Sequence, residues 1–237
     1  MVTPLLLAFV VCSSPEPTLH LDSLQTSDQA VRLLNAQTLH QDNATDKALE
    51  LLEGQTTPAD SLVRARILRT EKKFVDAIST IHEGLQQNPP PPLGDLLRIE
   101  RALNQIGLKK DAEGSEALFR FVTQNHIAAY GHIETLAQSI SRLGPETVIQ
   151  KIPALLDLRG LSPNTRSFLL KTIADAYEAT GKANRAQEIR LESFLTVPLG
   201  RYSSSTIPKT TSPSATQLLG RAELILQAHR NEAALRA

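Results

Sequence analysis

Six histidines, a single cysteine and scattered carboxylates are the side chains from which a metal centre, a nucleophile or an acid/base pair would have to be built. His20, His40, His82, His126, His132 and His229 lie far apart, and none is four residues from another, the spacing that sets two imidazoles on one helical face for a metal. His126 and His132, six apart, fall on different faces of a helix. All six read as surface or helix-end residues. Asp95 and Glu100, five apart, and Asp111 and Glu113, two apart, point in different directions on a helix and read as solvated faces; a carboxylate pair for glycosidic chemistry must face one cleft. The chain has neither a Gly-rich phosphate loop nor a Gly-x-Ser-x-Gly elbow. Cys12 alone cannot form an internal disulfide or a cysteine zinc site. No catalytic residue, metal or cofactor is implied.

The elements that would position such groups are helical. Hydrophobic residues make up 41% of 237, aromatics only 4%, and Trp is absent, so a core must come from Leu, Ile, Val and Ala. Twenty-five Lys and Arg balance twenty-five Asp and Glu, which argues against a nucleic-acid partner, because phosphate neutralisation leaves a basic excess. Apolar spacings of three and four from Ser27 onward predict helices over Ser27–His40, Ala44–Glu53, Pro58–Arg69, Lys73–Gln86, Leu93–Gln105, Lys109–Thr123, Ile127–Arg142, Pro145–Asp157, Ser162–Thr180 and Lys182–Thr196. Gly181 is read as a left-handed cap, and Pro198 as the end of the last of these helices.

Around this pattern lie segments of other character. Leu5 to Val11 is an apolar run followed by Cys12, Ser13, Ser14 and two prolines, as in a secretory signal. It is too short to span a bilayer. Cleavage after Ser13 and lipidation of Cys12 are both open, and residues 1–26 are expected to be the leader of an exported, periplasmic protein, lipid-anchored in the second case. Pro89 to Pro92 should be extended and stiff. Residues 199–214, rich in Ser, Thr and Pro, read as a flexible excursion. In 215–237, Leu218, Ala222, Ile225 and Ala234 resume the helical register, with a turn expected at His229-Arg230-Asn231. The second helix of that pair would be too short to cover its partner, so the natural protein is expected to continue beyond Ala237.

The helices repeat. Ala77 to Ala186 and Pro89 to Pro198 are both separated by 109 residues, three units of about 36. Ala65, Leu68, Ala77, Gly84 and Pro89 in one copy, and Ala174, Tyr177, Ala186, Ser193 and Pro198 in another, resemble the small, large and proline positions of the tetratricopeptide repeat, with Gly181 in the turn. The small positions are expected to be packing contacts, where two helices approach closely. The implied fold is all-α: a right-handed α-solenoid of antiparallel, tetratricopeptide-like helix pairs spanning 27–198.

The same layout, with Ile173 to Gly181, Val197-Pro198-Leu199, Arg221-Ala222-Glu223 and His229 to Ala234, is similar to the N-terminal α-superhelix of soluble lytic murein transglycosylases. That resemblance implies a periplasmic scaffold beside a separate lysozyme-like domain that cleaves peptidoglycan through a catalytic glutamate. Glu192-Ser193 is the nearest match to that motif, but no Gly-x-Met-Gln follows and Ser193 is already a packing position. The expectation is a non-catalytic scaffold whose concave groove holds a peptidoglycan strand. The alternative is an exported scaffold that binds another protein and has no enzymatic partner domain.

Overall fold

The computed structural model describes residues 27–124, 126–197, 200–201 and 213–236. The expected leader with Cys12, Pro198 and most of the Ser/Thr-rich excursion lie outside them. The described residues form twelve helices and no strand. They are α1 (Ser27–Gln41), α2 (Thr45–Leu51), α3 (Pro58–Thr70), α4 (Phe74–Gln86), α5 (Pro91–Gly107) and α6 (Asp111–Thr123). Then follow α7 (Ile127–Tyr130), α8 (Ile133–Arg142), α9 (Pro145–Leu156), α10 (Pro163–Ala179), α11 (Ala183–Thr196) and α12 (Ala215–Arg236). Apart from α7, which packs on α6, each packs on neighbours in sequence, and α1 with α3, α3 with α5, α6 with α8 and α8 with α10 also touch across an intervening helix.

One turn recurs. After α1, α3, α5 and α10 a residue in the left-handed region follows the helix: Asn43 (φ 61°), Lys72 (φ 59°), Lys109 (φ 64°) and Gly181 (φ 76°). The next residue donates its N–H five residues back, Ala44 to Leu39, Lys73 to Leu68, Lys110 to Gln105 and Lys182 to Tyr177. This six-to-one bond is the Schellman closure, which satisfies a carbonyl that the helix end would otherwise leave bare. The residue that makes it then starts the following helix with φ between −94° and −83° and ψ between 50° and 58° in all four turns. Gly181 was legible as a cap because glycine takes positive φ without penalty. Lys72 and Lys109 gave no such signal, since lysine enters this region only at a steric cost that the surrounding packing must offset.

Three expectations about helix limits need correction. The four prolines are not one extended linker: Pro90 is extended (φ −56°, ψ 151°), but Pro91 and Pro92 open α5, where a missing N–H leaves no bond unmade. The helix expected over Ile127–Arg142 breaks between Tyr130 and Ile133 at Gly131, a poor helix former; Ala129 and Ile133, on either side of the break, are both buried. No turn forms at His229–Asn231: α12 runs unbroken to Arg236, because none of the three residues there removes a backbone donor as proline would.

The core divides into two apolar clusters, one from α1 to α5 and one from α5 to α11. Among the residues whose burial is described, none from α12 belongs to either. The small positions lie inside: Ala65, Ala77, Ala174 and Ala186 have no exposed surface, and Ser193 has 1%. Gly84 is buried against α3, where an added Cβ would meet Ser61 Cβ at 2.7 Å and Leu97 Cδ1 at 3.4 Å. That approach needs glycine. Tyr177 is half-buried beside Lys182, whose Nζ stands 5.9 Å from the ring centre. Pro89, part-exposed after α4, touches the start of α5 at Gly94.

Candidate functional site: the groove between α8 and α10

Polar side chains link successive helices at recurrent separations. Arg32 on α1 donates to Asp60 on α3 at 3.0 Å, 28 residues on. Arg69 on α3 donates to Glu100 on α5, 31 residues on, with Arg66 3.7 Å from the same carboxylate. Arg142 on α8 reaches back 31 residues to Asp111 on α6, with Nη2 2.6 Å from Oδ1 and Nε 2.9 Å from Oδ2, while the Ser139 hydroxyl donates to Oδ1 at 2.7 Å. Thr165 on α10 donates to Glu134 on α8, again 31 residues apart.

These contacts revise the reading of the acidic residues. Glu113 is exposed as expected, but Glu100 and Asp111 are only 3% and 9% exposed. Burying a carboxylate is costly unless it is paired and hydrogen-bonded, and both are. The Arg142 guanidinium holds the Asp111 carboxyl below its ordinary value, with Ser139 adding to the effect against the opposing influence of burial. Lys151 of α9 does the same for Glu116 of α6, with Nζ 2.5 Å from Oε2.

The histidines stay dispersed. His40 bonds Thr45 and Thr70 between α1, α2 and α3; His126 precedes α7, edge-on to Phe121 and 3.6 Å from Asp95; His82 is exposed near Gln86. No group of three metal-ligating side chains converges among the described residues. Glu192 is exposed while its neighbour Ser193 is buried, so the Glu-Ser pair does not share one surface.

What the fold does gather is an open groove of about 560 Å³ walled by α8 and α10 over the start of α9. Gln138, Ser141 and Arg142 come from α8, Phe168, Lys171, Thr172 and Asp175 from α10, and Pro145 and Val148 from α9. Spacings of three and four put each set on one helical face. On α10 that face lies beside the stripe of Leu169, Leu170, Ile173 and Ala174, which the core buries. The floor is apolar, with Val148 and Ala176 buried and Phe168 half-buried.

The rim is charged but compensated. Arg142 is held by Asp111, and Lys171 Nζ lies 2.5 Å from Asp175 Oδ2. Asp175 also accepts from Arg190 of α11 at 3.2 Å, and Arg190 donates to Glu178; the Glu178 carboxylate, with Asp175 adding to it against burial, raises the Arg190 pKa. Ser141 and Thr172 donate to carbonyls of their own helices, Ala137 and Phe168. No second carboxylate stands opposite Asp175 among the lining residues. The groove thus has an apolar floor under a hydrogen-bonding, charge-balanced rim.

None of the described residues picked out as repeat positions lines this groove, and no residue was expected from the sequence to form it. The recurrence of polar residues at 138, 141 and 142 and at 171, 172 and 175 was the available signal. No family model matches the chain, and no curated protein and no solved structure is found similar to it. No described helix is long and apolar enough to cross a membrane.

Proposed function

We propose that this chain is a non-catalytic scaffold, a right-handed α-solenoid of antiparallel, tetratricopeptide-like helix pairs that holds a partner strand along the α8–α10 groove. The observation that carries the reading is the recurrence of one closed turn, at Asn43, Lys72, Lys109 and Gly181, together with polar contacts that reach about 31 residues between helices. A stack in which each unit contacts only its neighbours produces such regular separations. The resemblance to murein transglycosylase superhelices supplies the occupant and the setting. The strand is peptidoglycan, the compartment is the periplasm, and the parent protein is a cell-wall lytic enzyme with its reaction centre in a separate domain.

The test is co-sedimentation of the purified chain with peptidoglycan sacculi, scored beside muropeptide release. Binding without release, weakened at least several-fold by Phe168→Ala and by Lys171→Glu, supports the reading. Release above background by this chain would overturn its non-catalytic part. Absence of sedimentation would overturn the cell-wall part and favour the alternative, a polypeptide occupant. For that alternative the rim amide of Gln138, exposed above an apolar floor, suits pairing with a main chain.

A further inference from the structure

The Arg142 guanidinium is held on one edge and open on the other. Its Nε and Nη2 donate to the two oxygens of Asp111 at 2.9 and 2.6 Å, and the Ser139 hydroxyl, buried one turn earlier on α8, donates to that carboxylate at 2.7 Å. A guanidinium carries five donors in a rigid plane, so the bonds to Asp111 leave both N–H groups of Nη1 and the second of Nη2 on the other edge. Among the described residues no group accepts from them. Arg142 lines the groove and is part-exposed. The result is a fork of donors turned away from Asp111, and it is preorganised because the side chain is already fixed in one geometry.

The charge around the fork decides what it can hold. Asp111 offsets Arg142, Asp175 offsets Lys171 and Glu178 offsets Arg190, and the other groove residues are uncharged. A carboxylate or phosphate arriving at Arg142 would meet a guanidinium already paired with a buried carboxylate, so no net attraction offsets the cost of stripping its water. A neutral carbonyl meets the same donors at a far smaller dehydration cost. On the facing wall, Thr172 donates its hydroxyl proton to the Phe168 carbonyl, which leaves the lone pairs of its oxygen as acceptors. One wall therefore donates and the other accepts. A planar trans amide points its C=O and its N–H in opposite directions; laid across the groove, it satisfies both walls while its substituents run along the apolar floor of Val148, Phe168 and Ala176.

We propose that Arg142 and Thr172 are the specificity-determining pair of the groove, that they hold an uncharged secondary amide of the bound strand, and that Asp111 and Ser139 are positioning residues for the Arg142 fork. This rests on the cell-wall reading above and narrows it. A peptidoglycan strand offers secondary amides as N-acyl groups on its sugars and as peptide bonds in its stems, beside free carboxylates. The groove selects the neutral groups and passes over the charged ones.

Co-sedimentation of the full chain with sacculi tests it. Arg142→Lys keeps the charge opposite Asp111 but has no second edge, and Thr172→Val keeps the shape but removes the acceptor; each should weaken binding several-fold with helical circular dichroism unchanged. If Arg142→Lys loses helicity, Thr172→Val decides. Wild-type binding should be nearly indifferent to salt, because no net charge is neutralised. In Asp111→Asn the uncompensated guanidinium attracts the stem carboxylates, so binding should become salt-sensitive, a change that lost stability alone does not produce. Sacculi stripped of N-acyl groups, and sacculi stripped of stems by an amidase, locate the amide: loss of binding in either arm supports the proposal and names its source. Wild-type sedimentation that either variant leaves unchanged, that falls steeply with salt, that stays salt-indifferent in Asp111→Asn or that survives both treatments overturns the proposal and leaves the groove reading standing. No sedimentation of the wild type removes that reading, and the proposal with it.

Discussion

Replacing Asp111 with Asn tests whether the buried polar contacts between helices carry stability. Asn keeps the volume but removes the charge, and its amide nitrogen turns donors toward the donors of Arg142. The wild-type carboxylate accepts two hydrogen bonds from Arg142 and one from Ser139, and bonds to a charged group contribute about 1.5–3 kcal/mol each. The sum is not the expected loss, because the Arg142 side chain is 37% exposed and can recover water on the groove side, as partly exposed pairs do. A net cost of about 2 kcal/mol remains, which for a chain of this size lowers the melting temperature by about 4–8 °C.

Urea unfolding should therefore shift by that amount at neutral pH, and the shift should depend on pH in one direction. The folded Asp111 pKa lies below its unfolded value of about 3.9. Its contribution is then fully present above the unfolded pKa and is lost as pH falls through the folded one. The wild type should lose stability on acidification and converge toward Asp111→Asn. A difference below about 0.5 kcal/mol at neutral pH, typical of an ordinary surface substitution, would refute the argument. So would a full difference that acid leaves untouched.

Three further outcomes follow from the same geometry. Lys109→Gly, and equally Lys72→Gly, should stabilise the chain by about 0.5–1 kcal/mol in chemical denaturation, because relief of the left-handed strain outweighs glycine's greater unfolded-state entropy. Ala186→Leu forces a branched side chain into a site with no exposed surface and should destabilise by about 1–3 kcal/mol in thermal unfolding; an unchanged transition would mean that α10 and α11 do not meet there. Glu100→Ala strips the carboxylate from Arg66 and Arg69, whose side chains are only 13% and 22% exposed, and should cost about 3 kcal/mol, read as a lower urea midpoint.

The helices were legible because their signals are local. Apolar spacing placed nine of them within a few residues, and Thr57 and Ser162 cap α3 and α10 by accepting N–H bonds from Asp60 and Thr165, in the manner that serine and threonine before a helical proline suggest. What periodicity could not convey was pairing across helices. Glu100 and Asp111 looked like solvent-facing acids because a carboxylate is seldom buried without a partner, and only the arrival of arginines from α3 and α8 permits their burial. The groove stayed hidden for the same reason. Its two walls are 30 residues apart in sequence, from Gln138 to Phe168, and neither wall is unusual alone. The break at Gly131 was visible in principle but was overruled by the apolar stripe on either side of it.

The short reach of the polar contacts has a mechanical consequence. Since Arg32, Arg69 and Thr165 each tie a helix only to its next or next-but-one neighbour, no staple joins one end of the molecule to the other among the described residues. Stretched between its ends, the chain should yield in rungs, beginning at α12, whose hold on α11 depends chiefly on Arg221, and each rung should re-form when the force is released.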